Sequence, residues 1–408
     1  MSEQESKLNK EDEESLQKIK IKEQDAGQGN TVNGKKVSLM LLHILKTSVV
    51  PVVAFIAAAI TCFFVPFDKE YLGYFDLRTL SCLFCTLAVV AAFRNIRFFV
   101  WLADKIVRLF KNERNVILAL VFVTYFGSMI MANDMALVTF LPLGFFVLDS
   151  CGKRERLAFT FVMQNVAANL GGMLTPFGNP QNLYLYSRFS IGAAEFFSIM
   201  AIPFAVAFLL IFAVCMFVKP VPVVVAGKPK NAPPVWRSCV YSVLFIVSVM
   251  IVFRVFPYYW GLLAVVVCLL ILDFRSLLRV DYGLLLTFCF FFVFSGNMAR
   301  IDGVRNALGT LMDLDPLAFG VLSCQFISNV PSAVLLSAFT ENYAKLLIAV
   351  NIGGLGTPIA SLASLITLNT YRRVCPKDTK HYLCVFSAIN FSFLAVLIGA
   401  GYLTGLIL

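Results

Sequence analysis

Asn169-Leu170-Gly171-Gly172-Met173-Leu174-Thr175-Pro176 and Asn351-Ile352-Gly353-Gly354-Leu355-Gly356-Thr357-Pro358 share one pattern, N-x-G-G-x-x-T-P, with starts 182 positions apart. They lie within two apolar stretches broken by polar and Gly/Pro clusters, 115–187 and 316–371. Gly-Gly followed by Thr-Pro interrupts the i→i−4 ladder of a helix and leaves amide donors and carbonyl acceptors free. At bilayer depth such backbone survives only when buried in protein or lining a wet cavity. One Gly/Pro kink is ordinary in a membrane helix. Two matched kinks, each following a polar turn, indicate an internal repeat. Paired interruptions of this kind are used at the midplane by secondary transporters, where half-helix N-termini face anionic groups and freed carbonyls hold a coupling cation.

Composition places the breaks in a membrane. Of 408 residues, 59% are hydrophobic, 14% are charged and 40 are Phe. A soluble domain carries about 25% charged residues, so a secreted disulfide scaffold, a cytosolic enzyme and a nucleic-acid binder are excluded. The 11 Cys are scattered through apolar stretches, Cys82 and Cys85 among them, and read as packing residues. His43 and His381 are the only histidines, too few for a histidine-based metal site. The net charge of +10 comes from beyond residue 37, because residues 1–37 hold 7 Lys and 8 acids. Those 37 residues are polar and patternless and read as a disordered cytoplasmic tail. The apolar run begins near Ser38, too late for a signal peptide, so no cleavage is expected.

A spanning helix needs about 20 mostly apolar residues. Clear candidates are 38–65, 78–93, 193–218, 238–256, 259–273, 280–297 and 382–406. Basic clusters between them set the orientation: Arg94 to Arg114, Lys153 to Arg156, Lys219 to Arg237, Arg275 with Arg279, and Arg372 to Lys380. All are expected in the cytoplasm. The first two flank an apolar stretch, which must enter and return on one side as a hairpin of two half-helices turning at Met131-Ala132-Asn133-Asp134-Met135. The loop 298–315 then lies outside, and 316–339 enters and returns from there, turning at Ser328-Asn329-Val330-Pro331-Ser332. One hairpin opens inward and the other outward. The sequence therefore predicts an all-α polytopic membrane protein of two inverted repeats, each with a re-entrant hairpin and a broken transmembrane helix. The segments are a tail at 1–37, repeat 1 at 38–219, a cytoplasmic linker at 220–236 and repeat 2 at 237–408. The N-terminus is placed in the cytoplasm and the C-terminus outside, in the plasma membrane.

The hairpin tips carry the chemistry. Asn133 and Asn329 offer both donors and acceptors, and Ser328 a hydroxyl. Asp134 reads as the only acid at mid-membrane depth, with Asp273 and Asp281 at segment ends and Asp104 in a loop. An intramembrane carboxylate is costly without a partner and is a functional candidate. Its bland alternative is a cap on the returning half-helix.

The residues Ala132-Asn133-Asp134, Gly178-Asn179-Pro180-Gln181-Asn182, Ser328-Asn329-Val330-Pro331 and Thr357-Pro358-Ile359-Ala360-Ser361-Leu362-Ala363 resemble the ion transporter superfamily, in order and over nearly the whole chain after residue 38. That group includes arsenite and anion permeases, sodium-coupled di- and tricarboxylate carriers with a citrate transporter-like domain, and sodium/proton antiporters. The dicarboxylate carriers have Ser-Asn-Thr at each tip, where this chain has Ala-Asn-Asp and Ser-Asn-Val. The resemblance implies a homodimer, a scaffold part meeting the second subunit, a mobile part holding the tips, and elevator-type alternating access.

The expected substrate site comprises Asn133, Thr175, Pro176, Gly178, Asn179, Asn182, Ser328, Asn329, Thr357, Pro358 and Ser361. The expected cation-coupling site comprises Asp134, Asn133, Gly171, Gly172, Asn329, Gly353 and Gly354, where freed carbonyls and side-chain oxygens suit sodium. Sodium or a proton is the expected coupling ion, a small di- or tricarboxylate or inorganic oxyanion the expected cargo, and no organic cofactor is required. Arsenite efflux and sodium/proton exchange are the rival transport readings. A channel or membrane scaffold would not need matched inverted breaks. A membrane enzyme would need a second deep carboxylate or an H-E-x-x-H element.

Overall fold

The computed structural model describes residues 49–225 and 230–407. The tail at 1–37, the start of the first apolar segment at 38–48, Lys228 and Leu408 lie outside the described residues. The described chain is all-helical, with a single isolated bridge from Asn112 to Pro222. Seven of the described helices are long and apolar enough to cross a membrane, which makes this a multi-pass membrane protein.

The first half contains α1 (Val49–Cys62), α2 (Leu77–Asn95), α3 (Phe98–Val107), α4 (Glu113–Ser128), α5 (Asn133–Ser150), α6 (Leu157–Gly171), α7 (Pro180–Arg188) and α8 (Ala193–Met216). After the linker come α9 (Val235–Val252), α10 (Tyr258–Leu272), α11 (Phe274–Leu278), α12 (Tyr282–Arg300), α13 (Asp302–Leu314), α14 (Pro316–Ile327), α15 (Asn329–Leu336), α16 (Tyr343–Ile352), α17 (Leu362–Val374) and α18 (Thr379–Ile407).

The same order of parts occurs twice. An aspartate caps a 19-residue apolar helix in each half: Asp76 accepts from the Thr79 amide and Asp281 from the Leu284 amide, both at 2.9 Å. Such side-chain oxygens satisfy amides that have no partner within the helix. A short helix follows, α3 or α13. Next come a hairpin, α4–α5 or α14–α15, and a broken helix, α6–α7 or α16–α17.

The structure revises three readings of detail. The loop expected at 298–315 contains α13, whose apolar Val304, Leu308 and Leu311 alternate with polar residues at helical spacing. Asp104, placed in a loop, lies in α3, buried, and accepts from Arg108 at 2.9 Å. The arms of the first hairpin have 16 and 18 residues, about 24 and 27 Å at 1.5 Å per residue, which is longer than half-helices. Those of the second have 12 and 8 residues, about 18 and 12 Å.

Burial is graded from the breaks outward. Of the apolar window through the first break, 89% is enclosed, against 28% for α9 and 33% for α12. A helix apolar on all sides and exposed over most of its surface suits lipid. Within the Phe run of α12, Phe288 and Phe292 turn inward. Cys82 and Cys85 are buried in α2. Beside the start of α4, the linker runs antiparallel to it, with the Glu113 amide donating to Val221 O at 2.8 Å and the Val223 amide to Lys111 O at 3.0 Å. The buried Glu113 carboxylate accepts from Arg156 at 2.7 Å and lies 3.1 Å from Lys153 Nζ.

Candidate functional site

Each broken helix is tied to its own hairpin by the same bond. Thr175 Oγ1 donates to Met129 O at 2.9 Å, and Thr357 Oγ1 to Gln325 O at 3.0 Å. Both acceptors stand four residues before a tip asparagine, Asn133 or Asn329. Both asparagines fold back alike: Asn133 Oδ1 accepts from the Asp134 amide at 2.9 Å, and Asn329 Oδ1 from the Val330 amide at 3.0 Å. The threonines of the repeated motif thus hold their hydroxyls toward the hairpin backbone.

The backbone freed at the breaks is met by side-chain amides. Asn182 Nδ2 lies 3.2 Å from Gly172 O, 3.3 Å from Met173 O and 3.2 Å from Thr175 O. At the second break Gln325 Nε2 donates to Gly353 O and Leu355 O, both at 3.0 Å, while its Oε1 accepts from the Thr357 amide at 2.9 Å. The Gly172 and Gly353 carbonyls, expected among the cation ligands, therefore already accept one bond each. A carbonyl oxygen has a second lone pair to offer.

Glycine is needed at the breaks for close approach as well as for bending. A Cβ at Gly171 would stand 2.0 Å from Tyr125 O, and one at Gly354 would stand 3.0 Å from Asn329 Nδ2 and 3.4 Å from Asn169 Oδ1. Gly354 thus lets the second tip approach the first break.

The two halves interlock through asparagine. Asn133 Nδ2 donates to Asn169 Oδ1 at 3.2 Å, and Asn179 Nδ2 lies 3.3 Å from Asn169 O and 3.2 Å from Asn351 Oδ1. Asn351 Nδ2 donates back to Asn182 Oδ1 at 2.5 Å. Asn165, one turn before Asn169, donates to Ser364 Oγ at 3.2 Å in the other half. The tip residue Ser328 has φ of 75°, a left-handed backbone costly for a residue with a Cβ. Its hydroxyl lies 3.3 Å from Ala360 O, and the Asn329 amide donates to the same carbonyl at 2.9 Å. Ser361 caps α17 by accepting from the Ala363 amide at 3.2 Å. Pro176, Gly178 and Pro358 shape the breaks, and none donates or accepts a side-chain hydrogen bond in the cluster.

Four helix N-termini therefore meet here: α5 at Asn133, α7 at Pro180, α15 at Asn329 and α17 at Leu362. Each end carries a partial positive charge, although the Asp134, Asn329, Val330 and Ala363 amides already have acceptors within the cluster. At or beside these ends three acceptors are enclosed and unbonded, Asp134 Oδ1, Asn179 Oδ1 and Gln181 Oε1. Asp134 forms no ion pair among the described residues.

Asn165, Asn169, Asn351, Gln325 and Ser364 stand outside the site expected from sequence. Asn169 and Asn351 open the repeated motif, so the repeat itself pointed to them. Asn165 had only its position four residues before Asn169, and Gln325 its position four residues before the second tip.

Comparison with known proteins gives concordant results. The family model described as Citrate transporter matches residues 39–368. An uncharacterized transporter of Methanocaldococcus jannaschii is 32% identical over 298 residues, covering 72% of this chain and 80% of that protein. The inner membrane protein YbiR of Escherichia coli is 30% identical over 318 residues, covering 75% of this chain and 83% of its own.

Proposed function

This chain belongs to the citrate transporter family, and from that premise we propose that it moves a small anion, a di- or tricarboxylate or an inorganic oxyanion, by sodium- or proton-coupled secondary transport. The observation that carries this reading is the meeting of four helix N-termini at one asparagine cluster between the halves. The partial positive charge of four converging helix ends suits an anion held without its water shell. The amides of Asn133 and Asn329, with the hydroxyls of Ser328 and Ser361, are the groups assigned to contact it, while Asn179 and Asn182, whose amides are bonded to the first break and to Asn351, frame the site. Pro176, Gly178 and Pro358 keep the backbone beside them open, and Thr175 and Thr357 hold the hairpins in register.

The coupling cation is assigned to the enclosed oxygens of Asp134 and Asn133, supported by Asn329 and the carbonyls near Gly171-Gly172 and Gly353-Gly354. Hard oxygen ligands of this kind suit sodium, and the carboxylate also accepts a proton. A pure sodium/proton exchanger would need Asp134 but would leave the four converging N-termini without an anion.

The recurring order of capped helix, short helix, hairpin and broken helix supports two inverted repeats. In this reading the hairpins and broken helices form a mobile part that carries the site across the plasma membrane. The remaining helices form a scaffold within a homodimer. Uptake by purified protein in proteoliposomes tests the reading, with citrate, succinate and arsenite supplied under imposed sodium and pH gradients. Gradient-driven accumulation of an anion is the expected result. Sodium/proton exchange with no anion uptake would replace it.

Orientation has its own test. On a cysteine-free background, Arg305→Cys is expected to react with an impermeant maleimide added outside, and Arg154→Cys only with one admitted to the cytoplasm. A label reaching position 305 only from the cytoplasm would refute the inverted arrangement.

A further inference from the structure

The asparagine cluster supplies amides, hydroxyls and backbone groups to an anion, but its bonded side chains include no cation. A basic residue that does reach the first hairpin is Arg94, in the last turn of α2. Its Nη1 lies 2.9 Å from the Met135 sulfur, one residue beyond Asp134. A guanidinium carries five donors, and a thioether is a weak acceptor. The matching end of α12 is different: Arg300 lies 2.5 Å from Asp68 and 3.3 Å from Glu70 and donates to Tyr74 at 3.1 Å.

The charged neighbours of Arg94 leave it without a carboxylate contact. Arg279 and Asp281 stand nearby. Arg279 donates to the Asn95 side chain, and Asp281 Oδ1 caps α12 at the Leu284 amide. Arg94 forms no ion pair among the described residues, although half-buried. It continues a single face of α2, because Leu83, Leu87, Val90 and Arg94 follow one another at steps of three and four. The first three, with Ile130, Ala132 and Phe177, line a narrow cleft between α2 and the first hairpin and break.

We propose that Arg94, one helical turn beyond Val90 of this cleft, is a substrate-binding residue whose guanidinium exchanges the Met135 sulfur for two oxygens of the entering anion. This rests on the anion-transport reading above. A planar fork of parallel N–H donors matches a carboxylate or tetrahedral oxyanion, which a point charge on lysine does not. Arg94 thereby sets affinity and favours anions presenting two adjacent oxygens, while the asparagine cluster holds the cargo in transit.

The test is radiolabelled citrate, succinate and sulfate uptake into proteoliposomes by wild type, Arg94→Gln, Arg94→Lys and Met135→Leu. Taking the anion that wild type accumulates best, Arg94→Gln is expected to raise the half-saturating concentration roughly tenfold to hundredfold, with the saturated rate close to wild type. Arg94→Lys should fall between, and Met135→Leu should keep wild-type affinity. A wild-type half-saturating concentration in Arg94→Gln would overturn the proposal, as would equal losses of rate and affinity in the glutamine and lysine variants. Should Arg94→Gln elute as aggregate in size-exclusion chromatography, Arg94→Lys decides alone, and unchanged affinity there also overturns it. If wild type takes up none of the three anions nor arsenite, the anion reading itself fails and takes this inference with it; uptake of arsenite alone overturns this inference and spares that reading.

Discussion

Alanine at Asn133 or at Asn329 is expected to abolish substrate accumulation while leaving expression, membrane insertion and monodispersity intact. Each asparagine opens a helix in the four-helix meeting point and is nearly enclosed. Asn133 bridges the Asp134 amide and the Asn169 side chain. Asn329 accepts from the Val330 amide and presses its Nδ2 toward Gly354. Truncation removes the amide assigned to the anion and also leaves a neighbour without its partner. A lost hydrogen bond to a charged group is worth about 1.5–3 kcal/mol, roughly a tenfold to hundredfold loss of binding, and the neighbour left without its partner adds to it. The fold should tolerate the change, because each hairpin keeps its threonine bond, Thr175 to Met129 or Thr357 to Gln325. Uptake by both variants, beside size-exclusion profiles, measures this. Wild-type rates in both would end the assignment of the site.

Replacing Asp134 with Asn should uncouple transport from its driving gradient more than it weakens substrate binding. Asp134 lies in the first turn of α5 with Oδ1 enclosed and unbonded. Proximity to a helix N-terminus favours a carboxylate by about 0.3–1 kcal/mol. A bare charge within the membrane costs about 2.5–3.5 kcal/mol or more, so a proton or cation is needed to close the difference. Asparagine keeps the shape and removes the charge, and with it the reason for a cation to bind. Coupling free energies of about 1–3 kcal/mol correspond to roughly 5- to 150-fold, so gradient-driven accumulation should fall by about that factor. Substrate exchange without a gradient should persist. The measurement is uptake against imposed sodium and pH gradients for wild type and variant. Equal accumulation would remove Asp134 from coupling and leave only its charge in the first turn of α5, whose N-cap is Ala132 and whose amides the Asp134 carboxylate does not bond.

Much of this molecule was legible before its structure. The membrane class followed from composition, because too few charged residues remain to cover a soluble surface. The two breaks followed from N-x-G-G-x-x-T-P, because missing amide hydrogens and glycine freedom act on the backbone within a few residues. The two polar turns, before Asn133 and Asn329, followed from polar residues where apolar ones are the rule. Three local readings gave way. The apolar spacing of Val304, Leu308 and Leu311 marks the helix α13 that the loop assignment overlooked. Asp104 lies within α3, where Arg108, four residues on, and the Lys230 amide donate to its carboxylate. The first hairpin's arms run longer than half a membrane because α5 continues through Pro142.

By itself the sequence determined a repeated, helical, membrane-embedded chain with two polar tips and two breaks. All of these are properties of local backbone and of periodicity. Tertiary structure alone decided the partners: Asn351 on Asn182 and Asn179, Asn165 on Ser364, Gln325 on the carbonyls of the second break, and Arg94 on Met135. An amide or guanidinium side chain can bond any donor or acceptor within reach, so its type does not encode its partner. That choice arises when packing excludes water and brings one group within about 3 Å.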